Sequence, residues 1–301
     1  KWVGGKGQIL DQIVPKIPTE INNYYEPFVG GGAVFLEVLK RLYNKQIKVN
    51  GGFYINDINN DLMNMYSLIK SDVNYLINEL EKLNNLYNSF PVIEYPKRTK
   101  FIIDLSKPIS TLSNQGKEFL YYFLREKYNK LEINSPERVP LFIFLNKTSF
   151  RGVYRIGKNG FNVPFGHYNK VTIYNKVHLE TLNILFNTFN INISSNTYTN
   201  YINNHIFNYK DFVYIDPPYY PIKETSFVDY NIDGFNKEDN DNILKICDTL
   251  NNKNVKFLHS NSNCQYNLNS YKNYNISTIV TKRRIHCINP QLTHYELLIN
   301  N

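Results

Sequence analysis

A chain of 301 residues and 35.5 kDa, 42% of it hydrophobic, can bury one large α/β core, or such a core with a sizeable insert. Its 34 basic against 26 acidic residues leave a net charge of +8, which suits a polyanionic partner or plain solubility and decides between neither. No apolar run approaches a membrane span, the three dispersed cysteines (Cys247, Cys264, Cys287) offer neither a zinc-ligand spacing nor a disulfide scaffold, and the six histidines contain no HExxH, so the chain reads as soluble, intracellular and without a metal site.

The first 60 residues alternate strand and helix. Ile9, Leu10, Ile13, Val14 and Ile17 keep helical spacing over 7–17, with Pro15 and Pro18 closing the run. Residues 24–28 read as a short strand, Gly30-Gly31-Gly32 as a turn, 33–42 as a helix with Val34, Leu36, Val38 and Leu39 inward, and 53–57 as the next strand. This is a β-α-β unit with a glycine loop at its first turn. From Asp61 to about Leu145 the pattern is mainly helical, with Leu76, Leu80, Leu83 and Leu86 on one face and a second helical run over 119–128. Residues 150–168 change character: Lys158-Asn159-Gly160 lies between Val153-Tyr154-Arg155-Ile156 and Phe161-Asn162-Val163, which reads as a β-hairpin. The α/β rhythm then resumes, with helices over 176–186 and 237–250 and strands near 191–193, 212–215, 255–259, 276–280 and 295–299.

The most informative stretch is Phe212-Val213-Tyr214-Ile215-Asp216-Pro217-Pro218-Tyr219. Its first half is a buried strand, and the prolines, which cannot donate to a ladder, end it in a rigid loop. Such a loop lies at the carboxyl edge of the sheet, where open α/β folds bind ligands. Asp216 and the Pro217 carbonyl can accept the two hydrogens of an exocyclic amine while Tyr219 stacks on its ring. That arrangement turns the nitrogen lone pair outward, toward an electrophile. The competing reading is a plain strand end with Asp216 capping the loop. Glu26-Pro27-Phe28-Val29-Gly30-Gly31-Gly32-Ala33 supplies the other half, a glycine loop leading into a helix amino end. About 25 residues on, Asp57 ends a strand where a carboxylate can take ribose hydroxyls. The loop is neither GxGxxG nor a P-loop.

Taken together, these motifs resemble the Dam-like family of DNA adenine-N6 methyltransferases, amino-methyltransferases of the α arrangement, over nearly the whole chain. The resemblance includes Lys1-Trp2-Val3-Gly4-Gly5-Lys6, the glycine loop with Asp57, Asn146-Lys147-Thr148-Ser149-Phe150-Arg151-Gly152-Val153-Tyr154-Arg155 with Asn162-Val163-Pro164-Phe165-Gly166, the Asp216–Tyr219 loop and His259-Ser260-Asn261-Ser262. It implies a Rossmann-like α/β sheet built from residues 1–60 and 172–301, binding S-adenosylmethionine, and a mainly helical DNA target-recognition insert over 61–171 that carries the hairpin. The implied reaction is direct in-line methyl transfer to N6 of a flipped-out adenine in double-stranded DNA. Asp216, Pro217, Pro218 and Tyr219 would hold the target amine; Trp2, Lys6, Phe28, Gly30, Gly32, Asp57 and Asp216 would contact the cofactor. Where the family has an acid for the cofactor adenine, this chain reads Ser195-Asn196-Thr197-Tyr198, so Asn196 or Thr197 stands in.

Lys147, Arg151, Tyr154, Arg155, Lys158 and Asn159 are the expected DNA contacts, the arginines for guanine edges and the lysines for phosphates, with Lys282-Arg283-Arg284 as a further phosphate contact. A loop with Lys223, Thr225, Phe227 and Tyr230 would close over the cofactor. A cognate restriction endonuclease is the expected functional partner, and a monomer or weak dimer the expected state. GATC is the family's commonest target, but Ser149-Phe150-Arg151-Gly152 departs from the Phe-Asn-Gly run of GATC enzymes. The rival readings are methylation of cytosine N4, where Ser-Pro-Pro-Tyr is more usual, methylation of adenine in RNA, where Asn-Pro-Pro-Tyr is usual, and a DNA-binding relative that has lost catalysis.

Overall fold

Short apolar strands alternating with amphipathic helices build a seven-stranded, mostly parallel sheet in the computed structural model, which describes residues 2, 4–96, 99–168, 170–219, 235–282 and 293–301. The loop with Lys223, Thr225, Phe227 and Tyr230, the Arg283-Arg284 pair, Cys287, Lys1 and Val3 lie outside the described residues.

The single helix expected over 7–17 is instead a four-residue helix, α1 (Leu10–Ile13), between 3-10 turns at Lys6–Gln8 and Val14–Lys16. Pro15 has no N–H to continue the ladder, yet Ile9, Ile13, Val14 and Ile17 are all buried as the spacing requires. Strands β1 (Glu20–Ile21) and β2 (Tyr24–Glu26) follow. The expected extension of β2 to residue 28 fails because Pro27 and the glycine turn intervene. Helix α2 (Ala33–Tyr43) buries Val34, Phe35, Val38 and Leu39 along one stripe, each contributing roughly 1.5–3 kcal/mol. Strand β3 (Lys48–Val49) makes a small parallel pair with β1 that the periodicity did not reveal, and β4 (Phe53–Asn56) joins the main sheet.

Helices α3 (Asn60–Ser71) and α4 (Val73–Ser89) are started by Asn59 and Asp72, whose side chains accept from Leu62 N–H and Tyr75 N–H. Helices α5 (Lys117–Lys130) and α6 (Arg138–Thr148) complete the helical stretch; Pro140 sits in the first turn of α6, where an N–H is not needed. The hairpin is shorter than expected, with only β5 (Ile156–Gly157) pairing β6 (Gly160–Phe161). Side chains from α5 hold its second arm. The Asn129 amide takes both Phe161 N–H and Phe161 C=O, Tyr121 and Arg125 donate to the Val163 carbonyl, and Asn162 N–H donates across the hairpin to Arg155 C=O at 3.2 Å.

After α7 (Lys176–Thr188) come β7 (Ile191–Ser194), α8 (Tyr198–Asn203), β8 (Phe212–Ile215), α9 (Lys237–Asn252), β9 (Lys256–Ser262), α10 (Gln265–Ser270), β10 (Asn275–Lys282) and β11 (Thr293–Asn300). The short helices α8 and α10 were not expected. A capping box between Asn236 and Asp239 opens α9.

Packing divides the chain into two units. One contains Asn59–Asn187 and Trp2, with Leu76, Leu80, Leu120, Tyr121, Tyr128, Phe144 and Leu145 at its core. Helix α7 packs with this unit: Asn183 donates to the Ile69 and Lys70 carbonyls and Asn187 to Lys70 C=O, satisfying the exposed carbonyl end of α3. Within the same unit Asp61, only 4% exposed, receives Arg138 Nε at 2.5 Å and Nη2 at 3.2 Å, Tyr128 Oη at 2.5 Å and Tyr154 Oη at 2.9 Å.

The other unit, Gly4–Ile58 with Thr188–Asn301, holds the sheet in the order β10-β11-β9-β8-β2-β4-β7. Strands β9, β8, β2, β4 and β7 run parallel; β11 runs against them, and β10, antiparallel to β11, points the same way as the rest. The chain starts at β2, steps outward through β4 to β7, then returns to β8 on the other side of β2. The strand order therefore reverses between β2 and β8, and such a switch point opens a crevice at the carboxyl ends of the two strands.

Candidate active site

Two loops leave the switch point side by side. The first follows β2. Gly30 and Gly32 adopt φ of 49° and 68°, left-handed values that a side chain would strain. Gly30 N–H donates to Asp57 Oδ2 at 3.0 Å and Val29 N–H to Asn56 C=O at 2.8 Å, so the end of β4 fixes the turn, and Gly32 then begins α2. Glu26, buried at the end of β2, accepts from Tyr24 Oη at 2.5 Å, and burial pushes its carboxyl well up. Phe28 lies against Tyr198, ring centroids 5.3 Å apart.

Beside this turn stands the end of β7. The fully buried Asn56 amide donates to Pro27 C=O at 3.1 Å and Asn196 C=O at 3.0 Å, and accepts from Asn196 N–H and Ser194 Oγ, both at 2.9 Å. The Asn196 side chain is exposed, while Thr197 Oγ1 is occupied as the cap of α8, accepting from Asn200 N–H.

The second loop follows β8, whose four residues are all buried. Asp216 leaves the strand with its side chain 16% exposed and pairs with Lys6 Nζ at 2.9 Å. Burial foremost pushes the Asp216 carboxyl up to about 6; Lys6 holds it down and Glu296 adds to the rise. Lys6 Nζ also sits 4.7 Å from the Tyr219 ring centroid, 3.2 Å from Gly4 C=O and 4.0 Å from Glu296 Oε2. Tyr219 Oη donates to Glu296 Oε2 at 2.7 Å. Its phenol is pushed well above the usual range, by burial first and then by Asp216 and Glu296, so it remains a donor. Beneath the loop, His259 Nδ1 lies 3.1 Å from Ile215 C=O and Nε2 3.2 Å from Asn261 Nδ2; burial drives the imidazole down to about 4. A neutral ring with its proton on Nδ1 satisfies both bonds.

The remaining candidates lie in the helical unit. Trp2 packs on Tyr154 and Phe142 at 5.5 and 5.9 Å between ring centroids. Lys147, Arg155, Lys158 and Asn159 are exposed, and Arg155 Nε donates to Asn162 Oδ1 at 2.7 Å. Arg151 has φ of 57° and lies over the Phe150 ring. Tyr154 is half-buried, its hydroxyl tied to Asp61.

The model of the D12 class N6 adenine-specific DNA methyltransferases matches residues 2–285. The chain belongs to this family. The methyltransferase is 36% identical to the type II methyltransferase M.MjaIII of Methanocaldococcus jannaschii, over 100% of this chain and 97% of the relative. It is 30% identical to the type II methyltransferase M1.LlaDCHI of Lactococcus lactis subsp. cremoris, over 94% and 87% of the two chains. Identity to the DNA adenine methylase of Escherichia coli K12 is 26%, over 95% and 87%. The methyltransferase is thus an adenine-specific DNA-modifying enzyme that acts with a methyl donor, and among its described residues no helix is long and apolar enough to cross a membrane.

Sequence reasoning missed three polar residues of the methyltransferase: Glu296, Asn56 and Asp61. Glu296 did leave a signal, an acid beside the wholly buried Leu297-Leu298-Ile299 run. An acid in such company needs a partner.

Proposed function

We propose that the loops leaving β2 and β8 form the active site, with S-adenosylmethionine on the glycine-loop side and the target adenine on the Asp216 side. The observation that carries this reading is the topology: a glycine turn with two left-handed residues and a buried acid-Pro-Pro-Tyr loop flank the one switch point in the described sheet. When bound, S-adenosylmethionine supplies an electrophilic methyl group for direct in-line transfer to adenine N6.

The residues of the chain do the rest. The Asp216 carboxylate and the Pro217 carbonyl accept the two N6 hydrogens and orient the lone pair, Pro218 stiffens the loop, and Tyr219 stacks on the purine. Extrusion of the base from the duplex costs a few kcal/mol, of which stacking returns roughly 1–3 kcal/mol. Gly30 and Gly32 let the donor approach the backbone, and the Asp57 carboxylate, held at the loop edge by Gly30 N–H, suits its ribose hydroxyls. Phe28 walls the same side, with Lys6 near the methionine end. Asn196, its backbone pinned and its side chain exposed, is a better acceptor for the donor's adenine than Thr197, which is already capping α8. For Trp2 the support is the family resemblance alone.

The unit over Asn59–Asn187 is the proposed DNA-recognition part, with Lys147 and Lys158 on phosphates and Arg151, Arg155 and Asn159 toward bases. Tyr154, tied to Asp61, supports the hairpin from beneath. The type II naming of two relatives favours a place in a restriction-modification pair; a monomer or weak dimer is our proposal for its state. Tritium transfer from labelled S-adenosylmethionine to duplex DNA, followed by nucleoside analysis, tests the reading. N6-methyladenine is expected, N4-methylcytosine would overturn the base assignment, and Asp216→Ala should abolish transfer while cofactor binding persists.

A further inference from the structure

The contacts of Lys6 pose a problem for the target base. Its ammonium is 2.9 Å from Asp216 Oδ1 and lies over the Tyr219 ring, the two partners that the adenine amine and purine require. Lys6, Asp216 and Glu296 side chains are 8%, 16% and 12% exposed, so the cluster is one cation between two carboxylates in a nearly dry site. An ammonium there cannot simply be abandoned, because an unpaired buried charge is strongly unfavourable. Glu296 offers the alternative partner. Its Oε2 is 4.0 Å from Nζ, so a shift of about 1 Å exchanges one ion pair for the other.

The sheet explains why this acid is present. Glu296 lies opposite Ser262 on β9, and His259, three residues earlier on β9, lies opposite Ile215, the last residue of β8. The antiparallel β11 therefore raises a carboxylate beyond the end of β8, level with the Asp216–Tyr219 loop. The same oxygen that faces Lys6 accepts the Tyr219 hydroxyl at 2.7 Å, a charge-assisted bond that fixes the ring.

We propose that Glu296 is a positioning residue that takes the Lys6 ammonium off Asp216 when the target amine arrives, while holding Tyr219 by its hydroxyl. This rests on the reading that Asp216 and Tyr219 receive the adenine. The test is a double-mutant cycle on methyl transfer to duplex DNA at saturating S-adenosylmethionine. Glu296→Gln keeps an acceptor for Tyr219 but cannot receive the ammonium, and should lower kcat/KM for DNA tenfold or more. In a Lys6→Met background there is no ammonium to move, and the same Glu296→Gln change should cost less than threefold. An equal loss in both backgrounds would mean that the Glu296 charge acts independently of Lys6, and no loss in either would remove it from the site; both outcomes overturn the proposal. Tyr219→Phe separates the tether, since its loss should persist in the Lys6→Met background. If Asp216→Ala retained full transfer, the underlying assignment of the adenine site would fail instead, an outcome distinct from additivity in the cycle.

Discussion

Removing Asp61 should damage the helical unit more than its single carboxylate suggests. Four donor atoms converge on it, from Arg138, Tyr128 and Tyr154, and Arg138 is itself only 9% exposed, its Nη1 also donating to Tyr128 C=O and Leu131 C=O. Asp61→Ala leaves a guanidinium in place without its counter-charge. Breaking a buried pair in this way costs about 3–5 kcal/mol, which for a chain of this size lowers the melting temperature by on the order of 10 °C. Replacing both partners, Asp61→Leu with Arg138→Met, should cost less than Asp61→Ala alone, because no charge is then stranded. The same change frees the Tyr154 hydroxyl, so the affinity for duplex DNA should weaken while that for S-adenosylmethionine holds. Thermal unfolding followed by circular dichroism, with binding titrations of both ligands, measures the set. A melting temperature for Asp61→Ala within about 1 °C of the parent, or a double variant as damaged as the sum of its parts, would refute the argument.

Asp216 gives a pH dependence of activity. Its folded carboxyl is raised to about 6, so the acceptor form is lost as pH falls through that value, and methyl transfer should drop about tenfold per unit below it; a flat rate from pH 7 to 5 would contradict this. His259 gives one of stability. Its folded value of about 4 lies below the usual 6.5, so the unfolded chain binds the extra proton between them, and the stabilisation, fully present above pH 6.5, is lost as pH falls toward 4. The whole window is worth on the order of 3 kcal/mol. Asp216, raised from 3.8, acts oppositely between 3.8 and about 6, so the His259 effect is read as the melting difference between the parent and His259→Gln, which should shrink as pH falls from 7 to 5. Gly32→Ala forces a side chain into a left-handed conformation, costing about 1–2 kcal/mol, and should weaken S-adenosylmethionine binding in a calorimetric titration; unchanged affinity would place the donor elsewhere.

What the sequence revealed and what it concealed divide along a physical line. Proline and glycine punctuate locally, so the end of β8 at Asp216 and the turn at Gly30–Gly32 were readable from a few residues, as was most of the burial stripe of α2, where Phe35 takes the buried place expected of the half-buried Leu36. The α/β sheet followed from strand and helix alternation. Hidden were relations between distant residues: Glu296 meets Tyr219 only through the register of β11 on β9, and Asp61 meets Arg138 and Tyr154 only after α3 and α6 pack. The anchoring of the hairpin's second arm was hidden in the same way, since Asn129 and Tyr121 of α5 reach Phe161 and Val163 from more than thirty residues away. Helices α8 and α10, six residues each, are too short to show a period.

The Asn56 amide is a calliper. With two N–H bonds and two accepted bonds, it spans from the Pro27 carbonyl to the N–H and C=O of Asn196 and the Ser194 hydroxyl, so the gap between the glycine turn and the end of β7 is set by the fixed dimensions of one planar group. The two walls proposed to flank the donor's adenosine are therefore tied together by one side chain, without any help from a ligand. An aspartate in its place, one atom different, would face two carbonyls with oxygen and spring the jaws open.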